Sequence, residues 1–581
     1  VSAVGAGAYA SFSAISQTPV ATAPAGGGTT PISQIATNTG EITGSTTDTI
    51  DVGGQISGPG ASTSVTTTGS AAATSISGIN ANSGAPGLGS VLQVSTNFGD
   101  VTTPTADATT IRTGSVLGPG ASTSVASTGA LAALSATSIG NVAFSPVSVG
   151  DVNQLTTNVG DVLTGEIFNN PGNNTPAARI STGRVLADGV SVSVTSTGAA
   201  SSVGSTFIGA DGGDVVIGNV GQTTTNGGDV YNLGRIGSSG SHAGHGSTFS
   251  IGATGAISFV AATAISSADV ENTFGNVNQT TTTTSSIFNQ GVYNIGGSGA
   301  STPHLTGNGM STSISATGAA SAVSSTSIGT TNSMTSFGNI DQSSTTTAAA
   351  SVTNRSYFGL SGNLQGHGTS NSSSAIGAVA SVSATAIGAG ATDLTFGNVD
   401  QASSNAASVR NDIMANSSFA GFRFTGRLAG DGSSVLGITV IRSAGLDIAV
   451  GDVTSEATNS GAVVNNNSAS NTLAGHHDSP VNPELGTGTQ YVTGGSGPDD
   501  FALAGAGSSV SVSASGATAA LSMTSIGNTA VGASVANATV GNVNQTAVNE
   551  ATGTVTNHGG TIAITNVATG QIAGAGSSAT I

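Results

Sequence analysis

Polar and apolar residues alternate along this chain in short runs. In Ser509-Val510-Ser511-Val512-Ser513-Ala514, hydroxyl and small apolar side chains take turns at successive positions. A period of two sends one set to each face of an extended strand. Apolar residues at helical spacing are rare, and glycine, a poor helix former, is spread throughout. β-Branched residues fill the runs and glycine separates them, as strands joined by tight turns require. The pattern predicts an all-β chain of many short strands.

The runs recur. One motif reads Ser313-Ile314-Ser315-Ala316-Thr317-Gly318-Ala319, and its anchor glycine returns at Gly5, Gly69, Gly129, Gly198, Gly255, Gly318, Gly377 and Gly516. The step is about 64 residues, longer than the common solenoid periods of about 20–50. The last interval is twice as long and holds a degenerate copy near Ser433–Val450. A second motif, Gly275-Asn276-Val277-Asn278-Gln279-Thr280, follows each first one. Its glutamine recurs as Gln34, Gln154, Gln222, Gln279, Gln342, Gln401 and Gln545, while Val101 and Val453 mark copies read as having lost it. A third motif pairs Asn38-Thr39-Gly40-Glu41-Ile42 with Asn158-Val159-Gly160-Asp161-Val162.

Small side chains cannot fill a wide core. A parallel β-solenoid has a thin one, and its coils complete each other's backbone hydrogen bonds. The expected fold is therefore all-β, a repetitive parallel β-solenoid of about nine units of roughly 64 residues. Three coils of about 20 residues would make one unit. The recurring glutamines would stack as an amide ladder, as in cross-β assemblies. The alternative is tandem β-sandwich repeats, whose cores want larger and more aromatic side chains. Only 16 Phe, 5 Tyr and no Trp are present.

On this reading residues 1–581 form one continuous array. Residues 1–44 are an N-terminal partial repeat and 45–408 are regular repeats. Residues 409–503 are a degenerate repeat with a protruding insertion at about 465–500. Residues 504–569 are regular, and 570–581 are a C-terminal partial repeat that completes the next subunit.

Composition removes several functional classes. The net charge is −18, and all nine basic residues are Arg. That excludes the basic patch a nucleic-acid binder needs. The absence of Cys excludes disulfides and thiolate metal sites. A disordered chain would be less hydrophobic and more charged than one with 37% hydrophobic and 6% charged residues. No apolar run approaches the ~20 residues of a membrane helix. Lys-free, Cys-free acidic chains are typical of secreted bacterial surface proteins. The opening Val1-Ser2-Ala3, without Met or a basic segment, reads as a mature product after signal-peptide removal.

The ends carry a further expectation. Gly574–Ile581 matches Gly505–Val512, and Val1–Gly5 matches Ile314–Gly318. Each end is thus half of one interrupted motif. Terminal strands of a solenoid expose unpaired peptide groups. Complementary ends would make a heterologous, non-closing contact and so a filament. The expected polymerisation residues are Val1, Ala3, Gly5, Ser577, Ser578, Ala579 and Ile581.

Other candidates are weaker. Gly494–Phe501 fits one nonapeptide of the calcium-binding β-roll, which makes Asp499 and Asp500 candidate calcium ligands, although the pattern needs successive copies. His242 and His245 are too few for a metal site. Arg423 and Arg427 flank Phe424 and could meet an acidic neighbour or polysaccharide. Asp100, Asp151, Asp161, Asp214, Asp229 and Asp452 follow glycines, where Asx-turn bonding accounts for them and calcium bridging is the alternative. Threonine runs such as Thr280–Thr284 suggest an ice- or glycan-binding face, but this needs threonine at fixed positions in successive coils, and the runs read as too irregular. No nucleophile–base constellation stands above the Gly/Ser background, so no enzyme and no cofactor is expected.

The units typified by Ser313–Ala319 and Gly275–Thr280 resemble those of bacterial secreted β-solenoid and curlin-like fibre proteins over nearly the whole chain. The resemblance implies an extracellular, self-assembling matrix or appendage fibre. Its partner would be itself, with cell-surface polysaccharide as a second candidate, and neither nucleic acid nor membrane insertion is expected. The alternative is a surface-layer or adhesin-type protein with calcium-assisted lattice or ligand binding.

Overall fold

The computed structural model describes residues 2–17, 31–43, 49–52, 62–81, 87–103, 109–113, 122–141, 147–164, 178–182, 191–211, 215–233, 235–238, 242–243, 248–268, 272–290, 292–295, 304–306, 311–331, 335–355, 357–360, 363–365, 370–390, 394–411, 414–415, 432–444, 448–465, 468–469, 502–504, 509–512, 517–529, 538–550, 555–557, 571–573 and 578–580. All elements among them are strands.

One coil runs through Ser191–Asp211, Val215–Ile217, Val220–Asn226, Val230–Asn232, Arg235–Ser238 and His242–Ala243. The chain then returns to its starting lane with Thr248–Ala268, which lies beside Ser191–Asp211. Counterpart strands of successive coils pair in parallel, and six sheets result. The sheet of long strands has eleven members, and the sheets containing Val220–Asn226 and Val230–Asn232 have nine each. Here they are called the long, glutamine and valine sheets. The fold is thus all-β and β-solenoid-like. The pairing is parallel throughout, as a solenoid requires; tandem antiparallel sandwiches would break it at each repeat.

The coil length departs from the expected three coils per repeat. Gln222 bonds to Gln154 across 68 residues, Gln279 to Gln222 across 57 and Gln342 to Gln279 across 63. One coil therefore uses a whole repeat. Parallel stacking matches like with like, and only the full repeat places glutamine on glutamine. The step from Asn459 to Asn549 is 90 residues, so that coil carries extra chain. The copy near Ser433–Val450 forms its own layer, with Gly432–Ala444 between Ser370–Gly390 and Ala517–Thr529.

Anchor glycines stack on one another. Pairing of Thr254 with Thr317 and of Ala256 with Ala319 sets Gly255 beside Gly318. The apolar core lies between the long and valine sheets. Ala72, Ala132, Ala199 and Ala256 meet Val101, Val162, Val230 and Ile287, all buried. Alanine on one side and a branched residue on the other keep this core thin and closely packed.

The corner after each Asn needs glycine for space. A Cβ built on Gly160 would run into the carbonyl of Gly99, and one on Gly228 into that of Gly160. Successive corners sit too close for any side chain on that side.

Candidate functional site

In Val220–Asn226, Val220, Gln222, Thr224 and Asn226 point inward and are buried, while Gly221, Thr223 and Thr225 point outward. The inner face of the glutamine sheet is therefore polar, and burial obliges its amides to find partners. They find each other. Gln93 Nε2 donates to Gln34 Oε1 at 3.0 Å, Gln154 to Gln93 at 2.9 Å, and Gln222 to Gln154 at 2.8 Å. Gln279 donates to Gln222 at 2.8 Å, Gln342 to Gln279 at 2.8 Å, and Gln401 to Gln342 at 2.9 Å. Ser455 holds the next position, between Gln401 and Gln545. Gln545 lies beyond it in Val543–Asn549, which is exposed along its whole length.

Gln93 escaped the sequence reading because Leu92 replaces the polar spacer of the motif. The reading of Val101 as a copy without glutamine is corrected here. Val101 pairs with Val162 and Ile42 in the valine sheet, and the copy in that coil is Val91-Leu92-Gln93.

A second side chain completes the ladder. Thr263, from the long sheet, donates to Gln222 Oε1 at 3.2 Å and accepts from Gln279 Nε2 at 3.2 Å. Thr326 and Thr385 sit likewise under Gln342 and Gln401. Threonine precedes its glutamine by 16 residues in four coils, a fixed spacing present in the sequence. Next along the strand, hydroxyls bridge the same two sheets: Ser383 donates to Ser344 at 3.2 Å and Ser403 to Ser383 at 2.9 Å. Thr224 and Thr156 hold this position two and three layers below Ser344, buried, and their hydroxyls have no partner. Gly204 and Ala261 stand there, between Ser135 and Ser324 of the long sheet.

Asparagine ladders flank the glutamines. Asn97 donates to Asn158 Oδ1 at 2.7 Å and to the Gly99 carbonyl at 2.6 Å, which ties layer to layer and closes the corner. Asn232, Asn289 and Asn354 form another ladder at 2.8 and 2.9 Å.

The aspartates act between layers. Asp100 Oδ1 accepts from the Asp161 N–H and Asp161 Oδ1 from the Asp229 N–H, each at 2.8 Å. Asp151 accepts from the Asn219 N–H, and Asp452 from the Asn542 N–H. The expected Asx-turn role is corrected accordingly: in these bonds the acceptor serves the next coil rather than its own turn. Stacking of like charges has a cost. Burial first, and then the charges of Asp229 and Asp100, hold the Asp161 carboxyl above its ordinary pKa, against the lowering effect of the Asp229 N–H. Burial and the neighbouring Asp400 raise that of Asp341. Tyr231 donates to Asp229 Oδ2 at 3.0 Å; burial and that carboxylate push its phenol up to about 12.

The outward face of the glutamine sheet carries a fixed row. Thr37, Thr96, Thr157, Thr225, Thr282 and Thr345 stand one above another, continued by Ser404 and Thr458. The reading of the threonine runs as irregular is thereby corrected. Variable coil lengths hide the alignment in the sequence, and strand pairing restores it.

Other expected residues are placed as follows. Ala3 pairs with Thr67, and the pairs around Gly5 set it beside Gly69, at one edge of the long sheet. Ser578 and Ala579 pair with Ser509 and Val510, near the other end of that sheet. One chain does not bring these two groups together. Val1, Ser577 and Ile581 lie outside the described residues, as do Asp214, His245, Arg423, Phe424, Arg427, Asp499 and Asp500. His242 lies in the short strand His242–Ala243. No group of three or more His, Asp or Glu among the described residues could hold a metal ion. Searches of protein-family models, curated proteins and solved structures return no match to this chain.

The arrangement is one of stacking. Most coils offer their neighbour a row of peptide groups, a glutamine amide, an asparagine amide and a carboxylate or amide acceptor, with Ser455 and Thr283 among the exceptions.

Proposed function

We propose that the chain is a structural subunit of an extracellular filament, with about nine coils of roughly 64 residues stacked head to tail onto the next copy. The observation that carries this reading is the exposed outer layer. Val543–Asn549 is exposed along all seven residues, including Val543 at 48% and Val548 at 40%. Its counterparts one coil in, such as Val453 and Ala457, are fully buried by the coil above. An open β-edge with unpaired peptide groups and inward amides at Gln545 and Asn549 favours a further parallel strand.

The phase of the long sheet supports the same reading. Ser578–Thr580 follow the lane of Ser509–Ser511, itself aligned with Ser370–Ser372. Ser2–Gln17 occupies that lane from the position of Thr66 onward. Head-to-tail joining through Ser2–Gln17 and Ser578–Thr580, which share this lane, is part of the proposal. The same chemistry that stacks coils within a subunit serves between subunits, and neither metal nor cofactor enters it. An extracellular setting accords with a chain free of Lys and Cys and carrying a net charge of −18.

Electron microscopy of the purified full chain tests this, beside a variant lacking residues 574–581 and a variant carrying Val543→Asp, at an inward position of the exposed strand. Long thin filaments from the full chain and short particles from both variants are expected. Short particles from all three would refute end-to-end assembly. Flat sheets that dissolve with chelator would favour the surface-layer alternative.

A further inference from the structure

The outward face of the glutamine sheet has an unusual surface. Its centre row runs Ile35, Val94, Leu155, Thr223, Thr280 and Ser343, and the threonine row lies two residues along each strand. The first five layers carry no charge in these strands, although the chain has a net charge of −18. Large apolar residues are also left in solvent here. Among the described residues, Ile35 is 66% exposed, Leu92 43% and Leu155 41%, and Phe98 and Val159 extend the patch at the adjoining corner. An uncharged apolar and hydroxyl face on an acidic chain marks a contact surface.

We infer that this face packs against the same face of a second copy, side by side, as a dry zipper of side chains stacked in register. Three observations select a second copy. The first is area. Seven residues at about 3.3 Å by nine layers at about 4.8 Å give roughly 1,000 Å² per copy, or about 2,000 Å² buried in all, a size that stable dimers reach. The second is the in-register stacking of like residues, which makes ridges with the spacing of a partner's grooves, the geometry of paired cross-β sheets. The third is symmetry. A two-fold axis along the stacking direction sets the centre row against itself, apolar layers against apolar layers. It also sets the threonine row against the row of Leu92, Asn153, Asn278, Asp341 and Asp400, so that Asp341 and Asp400 face the hydroxyls of Thr345 and Ser404. Glu456, the one charge on the centre row, lies in the eighth of the nine layers.

The pairing is lateral and independent of end-to-end assembly, so the two are separated by width and length. Electron microscopy and sedimentation velocity of the full chain are compared with Thr225→Lys combined with Thr282→Lys. Both sites point to solvent in an isolated subunit, and an unchanged β-type circular dichroism spectrum verifies folding. A control, Val216→Lys combined with Thr273→Lys, places the same two charges on paired, exposed outward sites of a different sheet. Double-width particles are expected for the full chain and the control, and single-width particles of unchanged length for the double variant. Single-width particles from the unmodified chain would overturn the inference. So would unmodified single-width particles that bind ice or crystalline polysaccharide through this face, because the hydroxyl lattice would then serve a mineral-like or glycan surface. Pairing that survives the double substitution also overturns it.

Discussion

Gly204→Ser should stabilise the middle of the array, and the reason is local. Thr156 and Thr224 are fully buried with hydroxyls that meet no partner. In higher layers a serine of the long sheet stands at the equivalent place and bridges, as Ser383 does between Ser344 and Ser403. A Cβ on Gly204 would lie 3.4 Å from Thr224 Cγ2, 3.5 Å from Gln154 Oε1 and 3.8 Å from Thr156 Oγ1. These are ordinary contacts, so a serine enters without displacing anything. Its hydroxyl can donate to one threonine and accept from the other. An unmatched buried hydroxyl costs about 1–3 kcal/mol. Glycine within a strand costs roughly 0.5–1 kcal/mol against alanine. The serine must give up rotamer freedom, which offsets part of the gain. The net is about 2 kcal/mol, with Gly204→Ala giving only the backbone share.

Hydrogen exchange is the suitable assay, because long repeat arrays depart from two-state melting. In Val152–Asn158 and Val220–Asn226, about 30-fold slower exchange is expected for serine and about 3-fold for alanine, at tenfold per 1.4 kcal/mol. Equal protection by serine and alanine would refute the hydroxyl argument. Faster exchange in both would show that the site has no room.

Gln279→Leu removes the acceptor of Gln342 and the donor to Gln222, and should cost about 2–4 kcal/mol, read as faster exchange in the adjoining coils. Gln279→Glu should be worse at neutral pH and partly rescued by acid, since burial raises a carboxyl's pKa and protonation restores a donor. Asp341→Asn should raise stability at neutral pH. The raised carboxyl of Asp341 means that the folded chain binds protons more readily than the unfolded chain, so stability falls as pH rises through that window. The variant should lose that slope in exchange measured from acid to neutral pH. Among the five tyrosines, Tyr231 should ionise late, near 12, and Asp229→Asn should bring its ultraviolet titration back toward 10.

Much of the design was open to inspection in the residues themselves. Alternation in Ser509–Ala514 calls for strands because side chains leave an extended backbone on opposite faces. Recurrence of the glycine and glutamine motifs calls for stacked coils. The glutamine partners were legible in part; Thr206, Thr263, Thr326 and Thr385 were not, although each precedes its glutamine by 16 residues. A threonine in a Ser/Thr-rich strand carries no mark of its own, and only the fold across the core shows which one faces the amide.

What the sequence determined by itself is the local state of the chain: strand, turn, period and the residue types that recur. What only the tertiary structure decided is the partner of each strand. Whether a strand pairs about 20 or about 64 residues away is a choice between coil paths with the same local pattern, and loop-closure entropy separates them weakly. The in-register match of buried amides decides it, because a buried glutamine facing anything but another hydrogen-bonding group loses its partners. That choice made Asp100 and Asp161 acceptors for the next coil, aligned threonines from coils of 54 to 90 residues into one row, and left Thr156 and Thr224 unsatisfied beside Gly204. Those effects depend on atoms some 60 residues apart along the chain and one strand spacing apart in space, about 4.8 Å.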